Sequence, residues 1–139
     1  MTRRSAPRYV NKLSNKIRRE LGRKPVMNRI SQAEGRVLYY LLDQDGPVVQ
    51  RDVEEEFSMR APSASALLKR MEEDGLITRS SAAEDARYKL IQVTEKGSAH
   101  KDEVLAEIHE LEETATRGIS EEDMETFYRV VETMLKNLP

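Results

Sequence analysis

At Gly75 the spacing of apolar residues along the chain changes from a period of about 3.6 to a period of 2. Few folds accept that switch directly after two short helical stretches. Gln50 to Phe57 has the spacing of a short helix with Val53 and Phe57 facing inward. Ser58-Met59-Arg60-Ala61 reads as a turn, and Pro62 suits the first turn of a new helix, where its missing amide costs nothing. That helix runs to about Asp74 on a core stripe of Ala64, Leu67, Leu68 and Met71, and Gly75 suits the left-handed position past its end. Two short helices joined by a tight turn outline a helix-turn-helix. Leu76–Arg79 and Tyr88–Val93 then alternate as two strands around a loop of residues 80–86, which makes a hairpin, or wing. Val48-Val49 is short and apolar enough for one further edge strand.

The flanks are helical. Ser31-Gln32-Ala33-Glu34 reads as a capping box, in which Ser31 accepts from the Glu34 amide and Glu34 reaches back. Val37, Leu38, Leu41 and Leu42 form the stripe that follows, and Asp45-Gly46-Pro47 breaks it. An earlier helix carries Tyr9, Val10, Leu13, Ile17 and Leu21 on a narrow stripe among basic residues and is ended by Gly22 and Pro25. Thr94 is placed to cap one long helix marked by Val104, Leu105, Ile108 and Leu111, with Gly118 interrupting it. Ser120 starts a last helix with a wide apolar face, from Met124, Phe127 and Tyr128 to Leu135 and Leu138. Such stripes at the two ends need a partner surface. With 38% hydrophobic and 35% charged residues the core is thin, and burial between subunits is the simplest way to thicken it. The fold expected is mainly α with a small β-wing. Residues 31–100 form a winged helix-turn-helix domain, and residues 1–30 and 101–139 form a helical dimerisation region.

Charge is unevenly placed. Residues 1–36 hold eleven Lys/Arg and two Asp/Glu, residues 37–100 eight and twelve, and residues 101–139 four and eleven, so a net −2 hides a basic head and an acidic tail. The basic head reads as a solvated face, as packing on the acidic tail of a partner, or as a neighbour of phosphates. The absence of cysteine excludes disulfides, thiolate metal sites and thiol redox chemistry, and fits a reducing cytoplasm. The longest apolar run, Val37 to Leu42, is far too short for a bilayer, so a soluble, unprocessed protein without a membrane partner is expected.

On the helix of residues 62–74, Ser63, Ser65, Ala66, Lys69 and Arg70 lie away from the core stripe. Small and hydroxylic residues allow close approach to a major groove about 12 Å wide, and the two cations reach guanine edges or phosphates. The same pattern also describes an ordinary amphipathic helix with a solvated polar face. In the returning edge of the wing, Asp85 and Arg87 are two residues apart, and side chains so spaced on an extended chain point the same way. Asp85 is then expected to orient the Arg87 guanidinium, which suits a narrow minor groove. The alternative is a surface ion pair of little energetic value.

The run Asp85-Ala86-Arg87-Tyr88-Lys89-Leu90-Ile91-Gln92-Val93-Thr94-Glu95-Lys96-Gly97 resembles the wing signature of the MarR family: Asp-x-Arg, a short strand, then an aliphatic residue followed by Thr-x-x-Gly. Leu67 to Ile77 resembles the family's recognition helix and its exit, and the likeness extends over roughly residues 8–138. The resemblance implies a two-fold dimer with intertwined first and last helices. It also implies Ser63, Ser65, Ala66, Lys69 and Arg70 at the major groove of double-stranded DNA, with Arg87 at the minor groove. Two departures stand out: Ala66 replaces a basic or longer polar residue of many relatives, and the tip Ser81-Ala82-Ala83-Glu84 has no positive charge.

Relatives also bind small anionic or aromatic effectors between their dimerisation and DNA-binding regions, and Tyr9, Arg36, Tyr39 and Tyr40 are the residues here that would line such a site or simply pack. His100 and His109, read as nine residues apart on one helix, face opposite ways and cannot share a metal within a subunit. No Ser/His/Asp triad, phosphate-binding glycine loop or paired acids in an apolar setting marks an enzyme, and no cofactor is implied. The expected function is therefore a homodimeric, ligand-responsive repressor on pseudo-palindromic operators. The rival is a winged-helix protein-interaction module that does not read DNA.

Overall fold

The structure, a computed structural model, describes residues 3–29, 31–80 and 84–139. The extreme N-terminus and the wing tip at residues 81–83 lie outside the described residues. The chain runs α1 (Ala6–Arg23), α2 (Pro25–Arg29), α3 (Gln32–Leu42), β1 (Val48–Val49), α4 (Gln50–Glu56), α5 (Ala61–Glu73), β2 (Ile77–Arg79), a 3-10 turn (Ala86–Tyr88), β3 (Leu90–Val93), α6 (Glu95–Ser98), α7 (Lys101–Thr116) and α8 (Glu121–Asn137). Among these helices none is long and apolar enough to cross a membrane.

Hydroxyl caps start four of the helices, and those at Ser31, Thr94 and Ser120 stand where the sequence predicts them. Ser5, Ser31, Thr94 and Ser120 each accept a backbone N–H in the first turn of α1, α3, α6 and α8. At Ser31 the box closes differently from expectation, because the hydroxyl bonds the Glu34 carboxylate at 3.2 Å. Lys24, extended as residues before proline are, ends α1, and Pro25 then opens α2, a short helix where the sequence predicts only a stop. The free amides of Val26 and Met27 at its start donate to the two carboxylate oxygens of Glu107 on α7, at 2.8 and 3.0 Å.

The three strands form an antiparallel sheet in the order β1-β3-β2, with Val48 opposite Ile91 and Ile77 opposite Val93. Val37, Leu38 and Leu41 of α3, Val53 of α4, and Leu67, Leu68 and Met71 of α5 pack with Ile77 and Ile91 into the main core. A second cluster joins Leu21, Val26 and Met27 to Val104 and Ile108 of α7. The two ends of the chain therefore meet through α1, α2 and α7.

Two sequence expectations are corrected. The strand expected from Tyr88 begins only at Leu90, since residues 86–88 coil into the 3-10 turn. The helix expected to run on from Thr94 stops at Ser98, turns at Ala99 and His100, and restarts as α7, so His100 precedes the helix that carries His109. The brevity of α6 has a packing reason. A Cβ on Gly97 would lie 2.3 Å from the Leu76 carbonyl oxygen and 2.8 Å from Val93 Cγ1, so α6 sits directly on the exit of α5 and the chain must turn away to reach α7. At that exit Gly75 takes φ 76°, a left-handed conformation that side chains disfavour.

Candidate functional site

The residue types of α5 divide cleanly by face. Ala64, Leu67, Leu68 and Met71 are buried to 3% exposure or less. Ser63, Ala66, Lys69 and Arg70 are exposed and Ser65 is half-buried at the edge. Apolar side chains on one side thus anchor a helix whose other side offers a hydroxyl, a methyl and two cations. Its C-terminal end is tied down by Arg79 of β2, whose guanidinium Nε and Nη2 donate to one oxygen of Glu72 at 2.9 and 2.6 Å.

The wing arginine is oriented, but not by the expected partner. Asp85 accepts the backbone N–H of Arg87 at 2.9 Å and so shapes the 3-10 turn. The Arg87 guanidinium goes instead to Glu54 on α4, with Nε 3.2 Å from Oε2 and Nη2 3.1 Å from Oε1. The physical reason is the turn itself. In a 3-10 turn residues two apart do not share a side, whereas in an extended strand they would. Glu54 Oε2 also accepts from Gln50 Nε2 at 3.2 Å, and the same amide lies 3.3 Å from the carbonyl of Ala61, the first residue of α5. The Tyr88 side chain foremost, and then the charge of Glu55, raise the Arg51 guanidinium of the same helix above the ordinary arginine value. Gln50, Arg51 and Glu54 went unnoticed in the sequence. The i, i+4 spacing of Gln50 and Glu54 was visible, but nothing local pointed to a partner 33 residues away.

The expected effector residues are only partly brought together. Arg36, Tyr39 and Tyr40 of α3 line a cavity of about 880 Å³ walled also by α1, α7 and α8, while Tyr9 stands exposed on α1 with Arg4 over its ring. Burial raises the Tyr39 and Tyr40 phenols above their usual range. Tyr40 meets Phe57 edge-on at 5.8 Å. The Arg36 Nε is buried without a hydrogen-bond partner among the described residues.

On the opposite side of α3, Glu34 is buried beside Asp74, the residue that closes α5, and both line a smaller cavity of about 400 Å³ with Lys96 and His100. Burial foremost, and then the hydrogen bond and charge of Asp74, raise the Glu34 carboxyl above the usual range. Lys96 Nζ donates to the Asp74 carbonyl at 2.7 Å. No group of three or more metal-ligating side chains occurs among the described residues.

Comparison with known proteins places this geometry. A model of the MarR family matches residues 30–87. The HTH-type transcriptional regulator YwoH of Bacillus subtilis (strain 168), itself uncharacterized, is 28% identical over 97 residues, which are 70% of this chain and 70% of that protein. MepR of S. aureus in its DNA-binding conformation superposes with a TM-score of 0.85 at 26% identity, over 98% of this chain and all of that one. The S. aureus MepR–DNA complex superposes with a TM-score of 0.82 at 27% identity, over 99% of this chain and all of that one.

Proposed function

We propose that the chain is a member of the MarR family, whose model matches residues 30–87, and that it is a double-stranded DNA-binding transcription regulator that works as a homodimer on pseudo-palindromic operators. The observation that carries this reading is the division of α5, with a fully buried stripe behind Ser63, Ser65, Ala66, Lys69 and Arg70. That is the geometry of a helix docked rigidly on its domain with its free face offered to a major groove. That a similar chain, S. aureus MepR, forms a complex with DNA supports it. Arg87 is the residue assigned to the minor groove, and Asp85 acts on it through the backbone of the turn.

Homodimerisation rests on apolar faces that the subunit leaves uncovered. Tyr9, Val10 and Leu13 of α1 and Phe127, Tyr128, Val130 and Leu135 of α8 are all exposed. The terminal segments 1–30 and 101–139 are read as the dimerisation region around the winged domain of residues 31–100. Repression released by a small anionic or aromatic ligand is the regulatory mode, with the cavity beside Arg36, Tyr39 and Tyr40 as its place. The role is non-enzymatic, as it is in regulators of this kind, and cytoplasmic because the target is DNA.

One experiment tests the reading. An operator is selected from random duplexes, and affinity is measured by fluorescence anisotropy as salt is varied. The expected site has half-site centres about 10 base pairs apart, and log K falls with log salt at roughly 0.9 per phosphate neutralised. Arg87→Ala costs on the order of 1–3 kcal/mol per contact with fold and dimer intact. The winged region carries more acid than base, which favours the rival reading as a protein-interaction module. Failure to select any duplex, or affinity that is flat with salt, decides for that rival.

A further inference from the structure

Arg87 sits on the wing and Ser63 in the first turn of α5, on segments separated in sequence by the rest of α5 and by β2. An unbroken polar chain runs from Arg87 to the backbone of Ala61, two residues before Ser63. The Arg87 guanidinium gives its Nε and Nη2 edge to Glu54, Glu54 Oε2 accepts from Gln50, and the Gln50 amide reaches the Ala61 carbonyl that opens α5. Burial fixes the inner links. Gln50 is 2% exposed and the Glu54 side chain 11%, whereas the Arg87 side chain is 39% exposed. A side-on pair uses the Nε and Nη2 edge of a guanidinium and leaves the Nη1 edge out of that pair.

We propose that Glu54 and Gln50 are positioning residues for DNA recognition, a buried bridge that fixes the wing arginine in register with the first turn of the recognition helix. The proposal rests on the DNA-binding reading above. Its physical content is preorganisation. A long arginine side chain free to sample its rotamers must be ordered on binding, at a cost in conformational entropy. Glu54 meets that cost within the free protein, and Gln50 makes the orientation common to both grooves. The charge of Glu54 works in the opposite sense, because an acid near phosphates weakens attachment to any duplex. A positioning role and a simple charge effect thus predict changes of opposite sign.

The test compares the parent, Glu54→Gln, Arg87→Ala and the double variant, each against the selected operator and against a duplex of unrelated sequence. Glu54→Gln keeps the shape of the side chain and removes its charge. The expected result is a loss of roughly tenfold on the operator, with binding to the unrelated duplex unchanged or tighter. In the Arg87→Ala background the same substitution should have no further effect, because the two changes disable one device. In the free protein, the Arg87 Nε–H resonance should exchange with water more slowly than that of the exposed Arg60. That difference should vanish in Glu54→Gln, and it holds for the parent even if the variant folds poorly.

Equal weakening on both duplexes, tighter operator binding, or an undiminished effect in the Arg87→Ala background overturns the positioning role while leaving DNA binding standing. An Arg87 Nε–H that exchanges as fast as that of Arg60 overturns it as well. A parent that prefers no duplex over another overturns the DNA-binding reading and the proposal with it.

Discussion

The helices α5 and α8 have the same apolar period and opposite fates. In α5 the stripe Ala64, Leu67, Leu68 and Met71 is enclosed by α3, α4 and the sheet of its own subunit. In α8 no residue is buried, and Phe127, Tyr128, Val130 and Leu135 are each 44% to 57% exposed. Periodicity states that a face must be covered; it does not state by what. The helix α5 is finished within one chain, which suits the fixed polar face that the proposed DNA contact requires. The terminal helix is left open within the chain, and in the proposed dimer a second copy finishes it, so that stability and assembly become one property there.

Breaking the uncovered face should have the largest effect. Phe127→Asp with Leu135→Asp puts charges on the face that the proposed dimer buries. Sedimentation should show the dimer dissociation constant raised roughly hundredfold or more, since charges stranded in a buried apolar contact are costly. A dimer as tight as the parent's would move the interface elsewhere.

The enclosed face responds differently. Leu68→Ala empties a fully buried position and should cost about 2–5 kcal/mol in thermal or urea unfolding, with the dimer mass unchanged. If Leu68→Ala instead loosened the dimer as much as the α8 variant does, the distinction between the two helices would fail.

The seam between the two regions gives a smaller effect. Gly97→Ala drives a Cβ into the Leu76 backbone and Val93 and should cost about 1–3 kcal/mol, read as a shift in melting temperature. Because backbone rather than a flexible side chain is in the way, relaxation should displace α6 and reach the exit of α5. Backbone amide shifts confined to residues 94–99 would show that the seam does not transmit strain.

Glu34 gives the smallest effect and depends on pH. Its carboxyl is raised by burial and by Asp74, so between the ordinary glutamate value and the raised one the folded chain holds a proton that the unfolded chain has lost. Stability contributed by this group therefore falls as pH rises through that window. Glu34→Gln removes the titration. Its melting temperature should match the parent's at low pH and exceed it above the window; a gap that does not change with pH would contradict the assignment.

Much of the fold was legible because its signals are local. The caps at Ser31, Thr94 and Ser120, the stripe of α5 and the stop at Gly75 each depend on residues within about four positions, where helical geometry makes neighbours. The face of α5 holding Ser63, Ser65, Ala66, Lys69 and Arg70 was legible for the same reason. The division of the chain at Gly97 was not. Its Thr-x-x-Gly pattern was apparent, but the Leu76 carbonyl that forbids a side chain there is brought up by the fold.

The sequence by itself determined the two helices, the hairpin after them and which face of α5 is free, since hydrophobic period and capping are written in adjacent turns. Only the tertiary structure decided the partners of the charged groups. Arg87 chose Glu54 over Asp85, Glu107 capped a helix 80 residues earlier, and Glu34 was left beside Asp74. Long charged side chains reach several ångströms in many directions, so their partners are set by which backbone the packed core brings within reach, and sequence distance carries no record of that.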